Sequence, residues 1–363
     1  MVSGGCAVSR LVNASRSMEV SHQAAATRYV FERVLVRLGE CEVWNKRLVL
    51  KGAMALIGVT QDHQRTTTDI DVWAIDKLTR EEAIEAFKAI ASITPSDADP
   101  MTFNLDTLKV ESINTKADEP GHQITCEARI GNMRLKFKLE ISHGHVCTPK
   151  PVMMTYPTVL DGHAPAKIMA YNAETMLAEK VHAIVSLGTH TSLYKDFYDV
   201  ALIMKKCDLD GHDTEQAFKR TFGNRLTDIP DLDSEKLPVF HPEFFAEGER
   251  NWREWADKKF AGQRGYVKQS YADLVAVIEP FISYCCSMTR DEAMTMDWKA
   301  QAWSVPLVDK EILDWQADIA WTIATERRMA SGEYVSQREL IERARSAAIS
   351  VTEEEAPGPA FGM

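Results

Sequence analysis

The stretch of sequence that decides the fold is Arg65-Thr-Thr-Thr-Asp69-Ile-Asp71. In a β-strand, residues i and i+2 face the same way with Cα atoms roughly 6.5 Å apart, so Asp69 and Asp71 present two carboxylates on one side. Ile70 points to the other side, toward a core. Two carboxylates on one face hold hard cations such as Mg²⁺, and paired metal ions roughly 3.5–4 Å apart promote phosphoryl-type displacements. This stretch therefore predicts a strand that carries a metal site.

A candidate phosphate cradle lies upstream of this strand. Lys51-Gly52-Ala53 follows an apolar strand predicted over residues 47–50 and opens a short helix over residues 54–58. Glycine permits close approach of the backbone, and the free N–H groups at a helix N-terminus bind phosphate. A cradle followed by a carboxylate pair is the arrangement expected of a site for a nucleoside triphosphate.

A third acid would complete the metal site. From residue 132 to residue 142, apolar side chains at odd positions alternate with polar ones at even positions, which predicts a half-buried strand. Glu140 lies on the polar face and is the best candidate; the alternative is an exposed strand residue beside two lysines. His143 and His145 follow at once, and we interpret them as turn residues in preference to further ligands.

A second constellation is helical. In residues 172–187 an apolar stripe at helical spacing runs beside Lys180, and a lysine held at the edge of a core needs an anion. In the next predicted helix, Asp196 and Asp199 are three residues apart and share a face. The residues alone leave two interpretations open: a solvated helix face with a Lys–Asp pair, or charged groups directed at a ligand.

The order of predicted elements indicates an α/β (α+β) fold, a mixed-sheet head followed by a mainly helical body. We expect a flexible N-terminus over residues 1–19, a head domain over 20–165, a helical domain over 166–351 and a disordered tail over 352–363. The predicted strands are 47–50, 69–75, 108–114, 122–130 and 132–142. The predicted helices are 20–38, 54–58, 79–93, 173–187, 193–206, 271–288, 309–329 and 340–348.

Composition limits the classes of function. With 42 Lys+Arg against 53 Asp+Glu, the net charge is −11, which excludes a generic basic coat for nucleic acid, so any such contact must be local. No apolar run is long enough to span a bilayer, and residues 1–21 lack the apolar segment of a signal peptide. The seven cysteines form no CxxC pair and suit reduced thiols. We therefore expect a cytoplasmic protein that does not associate with a membrane.

Together these motifs resemble those of the AbiEii/AbiGii-type toxin nucleotidyltransferases, which belong to the polymerase-β-like superfamily. The family's first motif, Lys-Gly-Gly-x-x-Leu and then Arg-x-Ser-x-Asp-hydrophobic-Asp, is matched by residues 51–56 and 65–71. Its Glu-x-x-x-Ala-Glu-Lys core is matched by residues 174–180, and its Lys/Arg-Asp-x-x-Asp motif by residues 195–199. The resemblance covers about residues 30–206. It implies a polymerase-β-like nucleotidyltransferase head.

The resemblance also implies roles for single residues. Asp69 and Asp71, together with Glu140, would hold Mg²⁺, with Mn²⁺ as the alternative metal. Lys180 would contact the triphosphate of an NTP, and Asp196 would act as a catalytic acid or base or would orient Lys180. The other residues that would bind the nucleotide are Lys51, Gly52, Ala53, Arg65 and Thr67.

Two positions depart from the family pattern. Ala53 stands where the cradle usually has a second glycine or a serine, so a side-chain donor is lost while the backbone N–H is kept. Glu140 stands where an aspartate is common, and its longer side chain changes the distance to the metal. Neither change by itself implies an inactive enzyme.

The implied activity is that of a toxin of a toxin–antitoxin system, of the abortive-infection type, which transfers a nucleotide from NTP to RNA with release of pyrophosphate. The 3′ end of tRNA is the leading acceptor. By resemblance, a cognate antitoxin of winged-helix type is expected as a partner. Basic residues flank the predicted site and could guide an RNA: Lys46, Arg47, Lys136, Lys138, Lys195, Lys205 and Lys206.

Two other classes of function fit the same residues. An enzyme that nucleotidylates a protein hydroxyl or a small molecule would have the same site without a basic groove. A non-catalytic nucleotide-binding module would keep the fold while losing Lys180 or the aspartate pair. Because every expected residue is present, the sequence favours an enzyme.

Overall fold

The computed structural model describes most of the chain up to residue 298. The described residues are 4–62, 66–97, 99–113, 121–189, 194–232, 234–259, 270–288 and 297–298. All of them belong to the compact unit Met1–Gln316, and the second unit is Ala317–Met363. The helices predicted over 309–329 and 340–348, and the tail predicted over 352–363, lie outside the described residues.

Seven strands form one mixed sheet, which agrees with the predicted α/β class. In chain order they are β1 (Leu48–Lys51), β2 (Ile70–Ala74), β3 (Met101–Ile113), β4 (Gly121–Ile130), β5 (Met133–Ser142), β6 (Val152–Thr155) and β7 (Lys167–Ala170). Their order across the sheet is β3-β4-β5-β2-β1-β7-β6. Strand β2 runs parallel to β5 and antiparallel to β1, so the predicted metal strand is central. Two short strands, β8 (Leu209–Asp210) and β9 (Asp297–Trp298), pair separately.

The helices of the described residues surround this sheet and build the body behind it. They are α1 (Gly4–Ser17), α2 (His22–Glu40), α3 (Gly52–Thr60), α4 (Arg80–Ser92), α5 (Ala173–Leu187), α6 (Tyr194–Lys206), α7 (Gly211–Asn224), α8 (Phe245–Lys259) and α9 (Tyr271–Ser287). Phe87 of α4 packs on Phe137 of β5 with ring centroids 5.7 Å apart, so α4 covers the odd-numbered face of β5. The even-numbered face of β5 is left to carry polar side chains.

Local capping explains why several predicted boundaries are close to those found. Thr79 caps α4 by accepting a hydrogen bond from the Glu82 N–H, and the Glu82 carboxylate accepts one in return. Asn172 caps α5 in the same way through the Thr175 N–H, and Gly188 ends that helix with φ of 58°. These signals are local and can therefore be read from the sequence.

The structure of the N-terminus differs from the prediction for this segment. We expected residues 1–19 to be flexible, yet residues 4–17 form α1, in which Ala7 and Leu11 are buried. These two apolar residues are four apart and so lie on one face of the helix. A stripe this narrow docks a helix but is too sparse to stand out in a hydrophobicity pattern.

The hairpin of β6 and β7 was absent from the prediction as well. The boundary that we predicted between residues 165 and 166 divides this pair of strands, and β7 also pairs in parallel with β1. The start of the predicted helical domain thus contributes a strand to the sheet of the head.

Two general features of the described part of the chain bear on its class. Within it, no helix has the length and apolar character needed to cross a membrane. Each of the seven cysteines lies in the described ranges as a free thiol.

Candidate functional site

Four polar side chains lie in one row across the sheet. Lys51 of β1 is paired in register with Asp71 of β2, Asp71 with Glu140 of β5, and Glu140 with Gln123 of β4. Residues paired in register on neighbouring strands lie on the same face, so their side chains are neighbours. Gln123 Nε2 donates a hydrogen bond of 2.7 Å to Glu140 Oε1. Glu140 therefore lies beside Asp71, where the third acid was predicted.

Burial and the neighbouring carboxylates destabilise the charged form of the Asp71 carboxyl. Burial raises its pKa, the charges of Lys51 and Lys180 oppose the rise, and the carboxylates of Asp69 and Glu140 add to it, giving about 6. Three acidic side chains thus act on one another at the start of β2. The neighbouring Ile70 is fully buried, as the alternation of the strand requires.

Asp69 precedes β2 and is held from within its own loop. Thr67 Oγ1 donates a hydrogen bond of 2.8 Å to Asp69 Oδ1, which fixes the direction of that carboxylate. We predicted Thr67 as a nucleotide-binding residue, and the contact shown by the structure is with Asp69. Arg65 lies outside the described residues.

The phosphate cradle lies directly against Asp71. Gly52 begins α3 with φ of +64°, a left-handed conformation that favours glycine. A Cβ at this position would lie 2.9 Å from Asp71 Cγ, closer than real Cβ contacts. Lys51, the residue before α3, makes no side-chain cap to the helix, and Ala53 is the next residue inside it. The turn therefore needs glycine both for its backbone and for space.

The helical constellation forms a charged trio. Lys180 Nζ lies 2.8 Å from Asp196 Oδ1 and 2.8 Å from Asp199 Oδ2. Both aspartates are buried, while Lys180 is partly exposed. The structure thus brings Lys180 and Asp196 together as predicted, and it adds Asp199 as a second holder of the ammonium group.

A cavity of about 220 Å³ joins the cradle to this trio. Its lining includes Lys51 and Gly52 from the sheet side and Lys180 and Asp196 from the helical side. Asp71 is not part of the lining, but its pKa responds to the charges of Lys51 and Lys180. Motifs that are more than a hundred residues apart in the sequence therefore meet at one cavity.

A second polar network closes the cavity on the helical side. Arg225 Nη2 donates a 2.7 Å hydrogen bond to Glu179 Oε1, and His145 Nδ1 lies 3.4 Å from the same oxygen. His145 Nε2 in turn lies 3.4 Å from Lys51 Nζ. Burial alone would raise the pKa of Glu179, but His145, Lys51 and Arg225 outweigh it and lower the pKa. Burial lowers the pKa of His145, which favours its neutral form.

Sequence reasoning missed several members of this network. His145 was interpreted as a turn residue; it does lie in the loop after β5, but it contacts Lys51 and Glu179. His143, by contrast, accepts a hydrogen bond from the Leu78 N–H. Arg225 reaches the cavity because α7 packs on α5. No pattern among residues close in sequence predicts this contact between helices.

The predicted basic residues are distributed over different parts of the molecule. Lys195 lines the cavity. Arg47 pairs with Asp76 at the opposite end of β1 from Lys51. Lys136 and Lys138 are exposed on the same face of β5 as Glu140.

No metal centre is evident from side-chain positions alone. Within the described ranges, no group of three or more His, Cys, Asp or Glu side chains is arranged so that it could hold a metal ion as the side chains lie. The three acids at the start of β2 nonetheless supply only carboxylate oxygens, the ligands that Mg²⁺ prefers.

Comparison with known families decides the class of the protein. The family model described as "Nucleotidyl transferase AbiEii toxin, Type IV TA system" matches residues 33–274. This chain belongs to the AbiEii family. It is therefore a nucleotidyltransferase of a toxin family, for which a nucleotide substrate and a cognate antitoxin are implied. The match includes every candidate residue named above, from Lys51 to Arg225.

The solved structures that are similar to this AbiEii protein are distant from it in sequence. The crystal structure of JHP933 from Helicobacter pylori has 14% identity and a TM-score of 0.42, with 75% of this chain and 94% of that chain covered. An antigenic nucleotidyltransferase-like protein from Paracoccidioides brasiliensis has 16% identity and a TM-score of 0.34, with 58% and 92% covered. No curated protein matches the chain.

Proposed function

We propose that this AbiEii nucleotidyltransferase transfers a nucleotide from NTP to an RNA, with the tRNA 3′ end as the leading acceptor, in a Mg²⁺-dependent reaction. The observation that carries the proposal is that Gly52, Lys180 and Asp196 line one cavity, while the Asp71–Glu140 pair lies directly behind Gly52. A hydroxyl of the acceptor attacks the α-phosphorus, the bond to the β-phosphate oxygen breaks, and pyrophosphate leaves.

The acidic row is assigned to the metal. Asp69, Asp71 and Glu140 would hold Mg²⁺, with Mn²⁺ as the alternative, because they offer oxygen ligands that repel one another. When bound, the metal supplies charge neutralisation at the transferred phosphoryl group. Thr67 orients Asp69, and Gln123 orients Glu140, so each of these two carboxylates has one oxygen engaged.

The triphosphate is assigned to the cradle and the helical side of the cavity. In this proposal the N–H groups at the start of α3, at Gly52 and Ala53, donate to phosphate oxygens. Lys180 is held by Asp196 and Asp199 on two sides, which fixes its ammonium group with little conformational freedom. Preorganised charge of this kind lowers the barrier where negative charge develops. These contacts support an orienting role for Asp196.

Family membership implies a toxin role and a partner, but it does not give the type of the partner. A cognate antitoxin is implied by the type IV toxin family. By the resemblance of the motifs we propose an antitoxin of winged-helix type that restrains the toxin's effect on RNA.

Transfer of radioactive label tests the proposal. Purified protein is incubated with Mg²⁺, total tRNA and each α-labelled NTP in turn, with Asp71→Ala as the control. Label that enters tRNA with the wild type alone supports the proposal and names the nucleotide. Label on protein or on a small molecule would keep the chemistry and exclude the RNA acceptor. No transfer under any condition would favour a non-catalytic nucleotide-binding module.

A further inference from the structure

One face of the sheet carries an excess of positive charge beyond the row that contains Asp71 and Glu140. Strand β5 begins at Met133, six residues before the first of its residues that pairs with β2, so β4 and β5 extend past the start of β2. In this extension Leu135 and Phe137 of β5 are buried, while the even-numbered residues are exposed. The exposed face is continuous with Glu140.

The register places the side chains of this face in rows. Lys138 is paired with Thr125 of β4, and Thr125 with Lys109 of β3. The next rows along β5 begin at Lys136 and at Arg134. Successive rows are roughly 6.8 Å apart because they are two residues apart on the strand. The cations of this surface, which we call the basic face, are Lys109, Arg129, Arg134, Lys136 and Lys138.

The basic face has a strong charge excess. Its rows contain one acid, Glu127, which accepts a 2.8 Å hydrogen bond from Arg129. The bulge in β3 adds an exposed acid, Asp106, at the outer edge. Within the described residues, none of the other four cations forms an ion pair with a carboxylate. Alternation along a half-exposed strand requires polar residues but not cations, and the chain as a whole carries −11.

We propose that the basic face binds the phosphate backbone of the RNA acceptor and leads its 3′ end to the carboxylate row. The inference rests on the proposed function in one respect, that the acceptor is RNA. Its own support is charge complementarity, together with the continuity of one sheet face from Arg134 to Glu140 over about 20 Å.

The composition of the basic face predicts that it recognises phosphate groups and not base sequence. The three rows hold only charged and polar side chains, with no aromatic residue on which a base could stack: Lys109, Thr125, Lys138, Asn104, Glu127, Lys136, Thr102, Arg129 and Arg134. Contacts to phosphate fix the register of a nucleic acid but carry no sequence information. We therefore expect the basic face to bind RNA regardless of its base sequence, so that the fit of the 3′ end at the site decides which RNA is used.

Binding measured without NTP tests the inference. Fluorescent tRNA is titrated with the wild type, with Lys136→Gln/Lys138→Gln, and with Lys88→Gln/Lys258→Gln as a control that removes two exposed lysines from helices. We expect about tenfold weaker binding for the first pair alone, and a slope of log K against log salt that is smaller by about 1.5. Equal unfolding midpoints for the two variants would exclude a folding defect.

Transfer measured in parallel separates the failure of the inference from that of the proposed function. The inference predicts a KM for tRNA that rises about tenfold in Lys136→Gln/Lys138→Gln, with the KM for NTP unchanged. A wild type that binds tRNA through these lysines but transfers nothing to it would overturn the proposed function and keep the basic face. A variant that transfers normally, with the affinity and salt slope of the control, would overturn the basic face, as would a wild type that binds no tRNA.

Discussion

Two of the charged clusters in the described residues differ in how their charges are balanced, one on helix α2 and one at the start of strand β2. On α2, Arg33 Nε lies 2.7 Å from Asp99 Oδ2, and Arg37 Nη1 lies 2.8 Å from the same oxygen. Burial raises the pKa of Asp97 and Asp99, but the guanidinium bonds outweigh burial and hold both below the ordinary value. This cluster is balanced within the protein.

The cluster at β2 is not balanced in the same way. Burial and the charges of Asp69 and Glu140 raise the pKa of Asp71 to about 6, against the opposing charges of Lys51 and Lys180. The pKa shift of Asp71 is therefore opposite in direction to those of Asp97 and Asp99, which are paired with guanidinium groups. Paired carboxylates belong to a scaffold, whereas neighbouring carboxylates that repel one another are typical of a site that binds a cation.

Asp71→Asn should give the largest effect and the sharpest contrast. The amide removes one of three neighbouring charges without a change of shape, so we expect the free energy of unfolding to be unchanged or greater. The rate of transfer should fall on the order of a thousandfold, about 4 kcal/mol, because a metal ligand is lost. Urea unfolding and initial rates of label transfer measure the two quantities. A variant that is both unstable and active would remove the contrast.

Arg33→Met should lower the free energy of unfolding and leave the rate of transfer unchanged. Asp97 would lose its guanidinium partner and Asp99 one of its two, which costs about 3 kcal/mol of stability. The exposed Arg253, which pairs with Glu249, supplies the control, since Arg253→Met should cost less than about 1 kcal/mol. Transfer per folded molecule should stay near the wild-type value. A loss of stability no greater than that of the control would mean that the α2 cluster is not a scaffold.

Glu32→Gln tests the one carboxyl of the α2 cluster that is poorly paired. Glu32 Oε1 lies 3.5 Å from Arg33, Oε2 accepts a 2.6 Å hydrogen bond from the Val159 N–H, and burial raises the pKa to about 7. The charge of Arg33 lowers this pKa and that of Asp97 raises it further.

The sign of the Glu32 effect follows from the raised pKa. The protonated Glu32 contributes to the free energy of unfolding. This contribution is complete below the unfolded-state pKa and is lost as the pH rises through about 7. Since the glutamine side chain of the variant does not ionise, the variant should gain about 2 kcal/mol relative to the wild type between pH 5 and pH 8. Urea unfolding across this range measures the difference. A constant difference would show that Glu32 does not titrate there.

Tyr171→Phe should give the smallest effect. Among the described residues the buried Tyr171 hydroxyl, beside the cavity, has no hydrogen-bond partner, so its removal should raise stability by about 1 kcal/mol. Tyr271→Phe is the matched control, because the Tyr271 hydroxyl donates a 2.9 Å bond to the Val239 carbonyl and its removal should cost about 1 kcal/mol. Thermal unfolding of the two variants should therefore shift in opposite directions.

The parts of the fold that could be predicted are those encoded by neighbours in sequence. The alternation around Asp71 and along β5, and the caps at Thr79 and Asn172, each depend on residues a few positions apart. The class of the fold and the core of the candidate site followed from these signals and from the resemblance of the motifs. The roles of the site residues stay predictions.

The remainder depends on contacts between distant segments. Arg225 reaches Glu179 through the packing of α7 on α5, and His145 reaches Lys51 across a loop. The α2 cluster depends on a loop carrying Asp97 and Asp99, and that loop has the polar composition of an exposed segment. Such contacts have no local signature, so the sequence could not distinguish a structural carboxylate from a functional one.

The most direct test is thermal unfolding with and without Mg²⁺ at constant ionic strength, for the wild type, Asp71→Asn and Glu32→Gln. A cation that binds the folded state alone adds about 2.7 kcal/mol at a hundred times its Kd. We predict that Mg²⁺ raises the Tm of the wild type and of Glu32→Gln, and leaves that of Asp71→Asn unchanged. An equal rise in all three proteins, or a rise in none, would contradict the assignment of the β2 carboxylates to a metal.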